Sequence, residues 1–257
     1  MSGFPFEQMN AIGRAVAAIG TPAFPDALRR LCLGVYGFDS LFVSIFSEDQ
    51  PPLQLYSDLD PEATRRTVGP YLGFAYLLDP FYSLFRSDPG DRVVSLDECA
   101  PDDFRTSEYY RMFYSETGLF DELVMLVGSA GGTAIALSLG KRHEGCRVAP
   151  DARAHLDALL PVISELCRKH WPQPVPSVEN GEPPADMVFD RLSRMKVSVR
   201  ESEVIRLMLK GHSTKSIARI LGNSPETVKV HRKRIYSKLG IASQGELFSL
   251  LLGGQFG

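Results

Sequence analysis

The sequence is short of tryptophan, of patterned cysteine and of long apolar runs, and each shortage excludes something. Its four cysteines, Cys32, Cys99, Cys146 and Cys167, are scattered over 257 residues. No CxxC or Cys/His spacing frames a metal site, so reduced, buried thiols are expected, as in a cytoplasmic protein. The apolar windows are too short and too interrupted to span a bilayer, which argues against a membrane partner. The N-terminus has neither a cationic start nor an apolar run, so no signal peptide is expected. No nucleophile elbow, metal-ligand spacing or Gly-rich phosphate loop occurs, and Gly131–Gly132 is better used in a hairpin. The chain therefore does not read as an enzyme and calls for no cofactor. No internal repeat is visible.

What is present is divided unevenly. Hydrophobic residues make up 44% of the chain, enough for two modest cores. The formal net charge of −3 hides an asymmetry. From Asp190 onward there are 13 Lys and Arg against 5 Asp and Glu, and before it 15 against 26. The basic end suits a polyanion, and the acidic end should stay off it. Between them Trp171 to Pro184, WPQPVPSVENGEPP, is rich in proline and reads as a semi-extended linker. The expected division is 1–170, a linker over 171–189, and 190–257.

The basic end reads as four short helices. RESEVIRLMLKG forms the first, closed by Gly211. Ser213 caps the second, TKSIARILG, with Ile217, Ala218 and Leu221 facing inward and Gly222–Asn223 turning the chain. Ser224 caps the third, with Pro225 at its first position and Glu226 in its first turn. Along it Val228, Ile235 and Leu239 form one apolar seam, while Lys229, Val230 and Lys233 fall opposite and Arg232, Arg234 and Lys238 flank them. SQGELFSLLL forms the fourth, whose Leu247, Leu250 and Leu251 either meet a second copy or close the local core. Two short helices joined by a turn, the second rich in cations, is helix-turn-helix geometry.

The order of these pieces resembles the C-terminal domain of LuxR/FixJ-type transcription factors. The residues that carry the likeness are Ser198, Arg200, Glu201, Glu203, Val204, Gly211, Ile217, Ala218, Leu221, Ser224, Thr227, Val228, Lys229, His231, Ile235, Lys238 and Leu239. The family usually carries Arg where this chain has Gln244. The resemblance implies a double-stranded DNA partner, with Lys229, Val230 and Lys233 facing bases. It implies that Thr227, Lys215 and His231 hold phosphates or orient the helix, with Arg234 and Lys238 beside them. Lys donors suit guanine O6 and N7, and Val suits a thymine methyl.

Before the linker, helices and strands mix. Phe4 to Ile19 has helical spacing, and Thr21–Pro22 opens a second helix to about Val35. SLFVSIFS from Ser40 is a strand, with Leu53 to Tyr56 as its hairpin partner. Pro61 to Leu78 reads as mostly helical, interrupted by Asp79–Pro80 before FYSLF. A short strand follows at Asp91 to Leu96, a helix from Thr106 to Glu116, and two strands, Glu122 to Val127 and Thr133 to Leu139, around a Ser129–Gly132 hairpin. Pro150 to His170 is a long amphipathic helix. Antiparallel strands with helices before, between and after give an α+β domain: a central antiparallel sheet, helices on both faces, and a cavity between sheet and helices. A phosphoacceptor receiver is disfavoured, because its βα alternation and acidic pair are missing.

Asp79–Pro80 and the run GLFDELVMLVGSAGGTAIALSL from Gly118 resemble the autoinducer-binding, GAF/PAS-like domain of quorum-sensing LuxR proteins. The likeness implies that Asp79 accepts a hydrogen bond from a ligand amide. The family's pocket tryptophans are missing, since the sole one is Trp171, and Glu122 stands where the family has Gly. A carboxylate among aromatic rings needs a donor or a cation. The candidate ligand residues are therefore Asp79, Tyr71, Phe74, Tyr76, Phe81, Tyr82, Tyr110 and Glu122, and the expected ligand is a small molecule bearing an amine or amide, or an acyl-homoserine lactone. The plain alternatives are that Asp79 bonds local backbone, that Glu122 is a solvated strand end, and that the aromatics are core. Tyr109, Tyr110, Phe113 and Tyr114 either wall the pocket or pack their helix on the sheet.

The whole reads as a ligand-responsive regulator that binds a two-fold DNA site as a homodimer. The alternative keeps the DNA-binding end and makes the first domain a protein-interaction module with no small ligand.

Overall fold

The computed structural model describes residues 6–34, 37–48, 50–60, 62, 64, 68–73, 75–115, 117–129, 131–142, 147–172 and 195–251. Phe74, Cys146 and all but the first two residues of the expected linker lie outside these.

The first part is built on one antiparallel sheet. Its strands are β1 (Ser40–Ser47), β2 (Leu53–Ser57), β3 (Arg92–Ser95), β4 (Asp121–Ser129) and β5 (Thr133–Lys141), in the order β2-β1-β5-β4-β3. Both faces of β4 and β5 are covered, so their side chains sort by alternation into two cores. Leu123, Met125 and Val127 meet a layer formed by α1 (Phe6–Ala18), α2 (Phe24–Leu33) and α6 (Ala152–His170). Val124 and Leu126 point the other way, into a core built from the short crossover elements and the C-terminal helices. Glu122 shares that second face by register.

The crossover elements are α3 (Gly69–Gly73), a 3₁₀ turn at Ala75–Leu78, α4 (Pro80–Ser87) and α5 (Leu96–Cys99). Pro61–Leu78 is expected to be mostly helical, and its described residues are: Glu62, Thr64 and Val68 stand in helical turns, followed by α3 and the 3₁₀ turn. The helix expected from Thr106 to Glu116 is present from Glu108, preceded by a 3₁₀ turn, Phe104–Thr106, and wound as a π-helix over Tyr110–Ser115. The wider turn brings Tyr109, Phe113 and Tyr114 all toward the sheet, which α spacing does not favour for residues this bulky.

The C-terminal part is four helices: α7 (Val199–Leu209), α8 (Thr214–Ile220), α9 (Pro225–Leu239) and α10 (Gln244–Leu251). Each start of the first three is set by a serine. Ser198 forms a capping box with Glu201, Ser213 Oγ accepts from the Ser216 amide, and Ser224 Oγ accepts from the Thr227 amide. Gly240 ends α9 in the left-handed conformation, where a side chain is strained. Val228 and Ile235 of the α9 seam are fully buried, as are Leu247 and Leu251 of α10, which close the local core; Leu250 remains exposed.

Candidate functional site

Two places bring functional side chains together. The first is the outer face of α9. Thr227, Lys229, Val230, Lys233 and Arg234 are exposed there, and Lys215 is exposed in the first turn of α8. Arg232 is held inward, donating to Thr214 Oγ1 across the two helices at 3.2 Å. His231 is half-buried, with its Nδ1 unpartnered among the described residues. Lys238 is differently employed. Its ammonium donates to the buried Glu201 carboxylate at 2.6 Å, tying the end of α9 to the start of α7. Gln244 Nε2 donates to the Met208 carbonyl, satisfying an end group of α7.

The second place is a cavity of about 120 Å³ between the sheet and the crossover elements. Tyr71, Asp79, Tyr109, Phe113, Tyr114, Glu122 and Ser138 line it, with Ser40, Phe42, Asp58 and Arg142 on the β1–β5 side. Strand register explains this side. Ser40, Gly140 and Glu122 lie in one cross-strand row, and Phe42, Ser138 and Val124 in the next. Gly140 permits close approach of side chains: a Cβ there would stand 2.3 Å from Leu119 Cδ1 and 2.5 Å from Ser40 Oγ, and both would have to turn aside. Serine and phenylalanine at alternate positions of SLFVSIFS are the signal from which Ser40 and Phe42 were readable.

Asp79 does two things at once. It is the N-cap of α4, with Oδ1 accepting from the Phe81 amide at 2.8 Å, while Oδ2 accepts from the Tyr71 hydroxyl at 2.7 Å on the cavity wall. Glu122 is not a solvated strand end. It is 6% exposed, and its Oε2 accepts from the Tyr114 hydroxyl at 2.6 Å. Burial raises the Asp79 carboxyl to about 6, against the lowering effect of the Tyr71, Phe81 and Tyr82 donors. Burial raises Glu122 to about 8; the Tyr114 and Ser138 hydroxyls lower it, and the charges of Asp79 and Asp121 raise it further. Burial, reinforced by these carboxylates, also pushes the Tyr71, Tyr109 and Tyr114 hydroxyls well up. Arg142 bonds Asp58 at 3.3 Å, and Asp58 is further satisfied by Arg29 and the Leu41 amide. Among the described residues no basic side chain pairs with Asp79 or Glu122.

Other aromatics near Asp79 in sequence stand elsewhere. Tyr76, Phe81 and Tyr82 are packed in the neighbouring core. Tyr76 meets Tyr82 edge-on at 4.8 Å, and the Tyr82 hydroxyl donates to the Ser47 carbonyl. The 3₁₀ turn and the Asp79 cap rotate these rings away from the cavity. Tyr110 backs the wall, stacked on Tyr114 at 5.0 Å. Phe74 lies outside the described residues.

No helix among the described residues is long and apolar enough to cross a membrane. Cys32, Cys99 and Cys167 are free thiols, and burial pushes the Cys32 thiol up to about 12.

Residues 195–251 match the bacterial regulatory proteins of the luxR family. The chain is 32% identical over 154 residues to an HTH-type transcriptional regulator in the exeN 3′ region of Aeromonas salmonicida, covering 56% of this chain and 79% of that one. It is 45% identical over 58 residues to the transcriptional regulatory protein TdiR of Thauera aromatica, 23% of this chain and 26% of TdiR. Among solved structures it is similar to the VqsR LBD domain of Pseudomonas aeruginosa, at 27% identity and a TM-score of 0.55, over 63% of this chain and 94% of that domain.

Proposed function

This chain belongs to the luxR family of bacterial regulatory proteins, and from that premise we propose a ligand-gated regulator whose ligand is a small cation. In this reading residues 1–170 sense, residues 171–189 link, and residues 190–257 read a two-fold DNA site as a homodimer. The protein works in the cytoplasm and turns over no substrate.

On the DNA side Lys229, Val230 and Lys233 face base edges. Thr227, Lys215, His231 and Arg234 hold the phosphate backbone, which sets register without specifying sequence. Lys238 serves first to hold α9 against α7 and reaches phosphate only with what freedom its bond to Glu201 leaves.

The observation that carries the ligand class is the pair of buried carboxyls on one cavity with no basic partner among the described residues. Burial raises the proton affinity of both groups, and the Asp79 charge raises that of Glu122 further. An ammonium ligand supplies the missing charge and several donors at once. The aromatic walls of Tyr71, Tyr109, Phe113 and Tyr114 add favourable faces for a cation. A volume of about 120 Å³ suits a compact ligand. Binding then shifts the population between arrangements of the DNA-binding helices by its differential affinity.

The test is a thermal-shift comparison of the full chain with small primary amines, their uncharged amides, and acyl-homoserine lactones. A native-state ligand raises the melting temperature by mass action. The expected result is a shift with amines that Asp79→Asn and Glu122→Gln each diminish. A shift with lactones alone would overturn the cation reading. A cooperative melt that no compound moves, from a protein that binds DNA, would favour a protein-interaction role for the first domain.

A further inference from the structure

The cavity has an acidic end and a basic end. Asp79 and Glu122 form the first, each 6% exposed. Arg142 forms the second, and it is the one cation lining the cavity among the described residues. Its side chain is 29% exposed, so the basic end is the more open one. The sheet sets the spacing. Gly140 pairs with Ser40 on β1 and with Glu122 on β4. Arg142 lies two residues further on, on the same face by alternation, and its backbone stands diagonal to that of Glu122 at about 7–8 Å. Its guanidinium reaches across β1 to the Asp58 carboxylate.

Arg142 is lightly committed there. Its contact with Asp58 is one bond at 3.3 Å from a guanidinium with five donors. The other Asp58 oxygen is held separately, by Arg29 at 3.1 Å and the Leu41 amide at 2.8 Å. Asp58, Arg29 and Arg142 together leave one positive charge over. Asp39 accepts from the Arg142 backbone amide rather than from its guanidinium. At the acidic end, with Glu122 raised to about 8 and Asp79 to about 6, neutral pH leaves about one negative charge. A simple amine answers only that end. A molecule carrying an ammonium and a carboxylate answers both and enters with no net charge, and a carboxylate suits the fork of a guanidinium.

Building on the cation reading of this cavity, we propose that its ligand is a small amino acid: Asp79 and Glu122 take the ammonium, and Arg142 leaves Asp58 to take the carboxylate. Arg142 is then the residue that separates amino acids from plain amines. Asp58 stays satisfied by Arg29 and Leu41 when Arg142 turns. A volume of about 120 Å³ suits a chain of a few carbons, and the span between the two ends selects its length.

The experiment is isothermal titration calorimetry on the full chain at neutral pH. It compares glycine, β-alanine and 4-aminobutyrate with ethylamine, propylamine and butylamine, the amines of matching carbon count. The expected result is that one amino acid binds about tenfold tighter than its matched amine. Arg142→Gln should bring that ratio to about one. Asp58→Asn, which frees Arg142 from a competing carboxylate, should raise it severalfold. Lys141→Gln removes the same charge one residue away, from a side chain that donates to the Gly37 carbonyl and does not line the cavity, and should change the ratio less than twofold. Amines that bind as well as the amino acids, with binding lost in Asp79→Asn, would overturn the amino-acid assignment and leave the cation reading standing. Equal effects of Lys141→Gln and Arg142→Gln would also overturn it. Binding of neither series, by heat or by melting temperature, would overturn both readings.

Discussion

Replacing Lys238 with methionine should cost folding stability first and DNA affinity second. The Glu201 side chain is 4% exposed, and its Oε2 accepts from Lys238 at 2.6 Å and from the Ser198 amide at 2.8 Å. Breaking a buried ion pair by removing one partner costs about 3–5 kcal/mol. Here Lys238 is 45% exposed, so water reaches its side of the pair, and Glu201 keeps the Ser198 donor. The expected loss is therefore about 2 kcal/mol. Glu201→Gln should lose less, and the double variant Glu201→Gln with Lys238→Met should recover part of it, for a coupling of about 1 kcal/mol. Urea unfolding followed by circular dichroism measures all three against wild type. Burial alone would raise the Glu201 carboxyl, but the Lys238 and Ser198 bonds bring it below the ordinary range. Its contribution is thus present above the unfolded value and lost as the pH falls through the lower native one, a loss absent from Glu201→Gln. An unchanged urea midpoint in Lys238→Met, with the salt slope of DNA binding smaller by about one, would refute this reasoning and make Lys238 a phosphate contact.

The cavity titrates in the opposite sense. Asp79 near 6 and Glu122 near 8 bind protons more tightly in the native state than the ordinary carboxyl near 4 does. Sensor-domain stability without ligand should therefore decline as the pH rises from about 5 to about 8, measured by melting temperature, and Glu122→Gln should flatten the upper part of that decline. Gly140→Ala should destabilise by about 1–3 kcal/mol, because the new methyl enters the space of Leu119 and Ser40, and thermal unfolding measures it.

Local chemistry was the legible part of this chain. Ser198, Ser213 and Ser224 begin helices, and Gly211, Gly222 and Gly240 take positive φ after helices end, because caps and turns depend on neighbours a few residues away. The Ser129–Gly132 hairpin was equally local. Glu122 is the opposite case. Its place on β4 was readable, but its burial depends on Tyr114 and on the two strands that stand beside it in the sheet order. Which aromatics reach the cavity was also beyond local reading, because a 3₁₀ turn before Asp79 and a π turn after Tyr109 rotate them by amounts that helical spacing does not supply. Lys238 looked like one cation among several on α9, since its partner lies 37 residues away.

The π turn at Tyr110–Ser115 has a mechanical consequence. It holds one residue more than an α turn, and such turns store a register that the surrounding packing must maintain. Each residue of an α-helix accounts for about 100° of rotation, so rewinding this stretch to α register would swing its N-terminal flank by about that angle relative to its C-terminal flank. Tyr114 and Glu122 lie toward one end, and Phe104 on the Gly211 turn toward the other. A one-residue change of winding would then act as a gear: a small adjustment at the carboxyl pair becomes a turn of the flank whose Phe104 lies against Gly211.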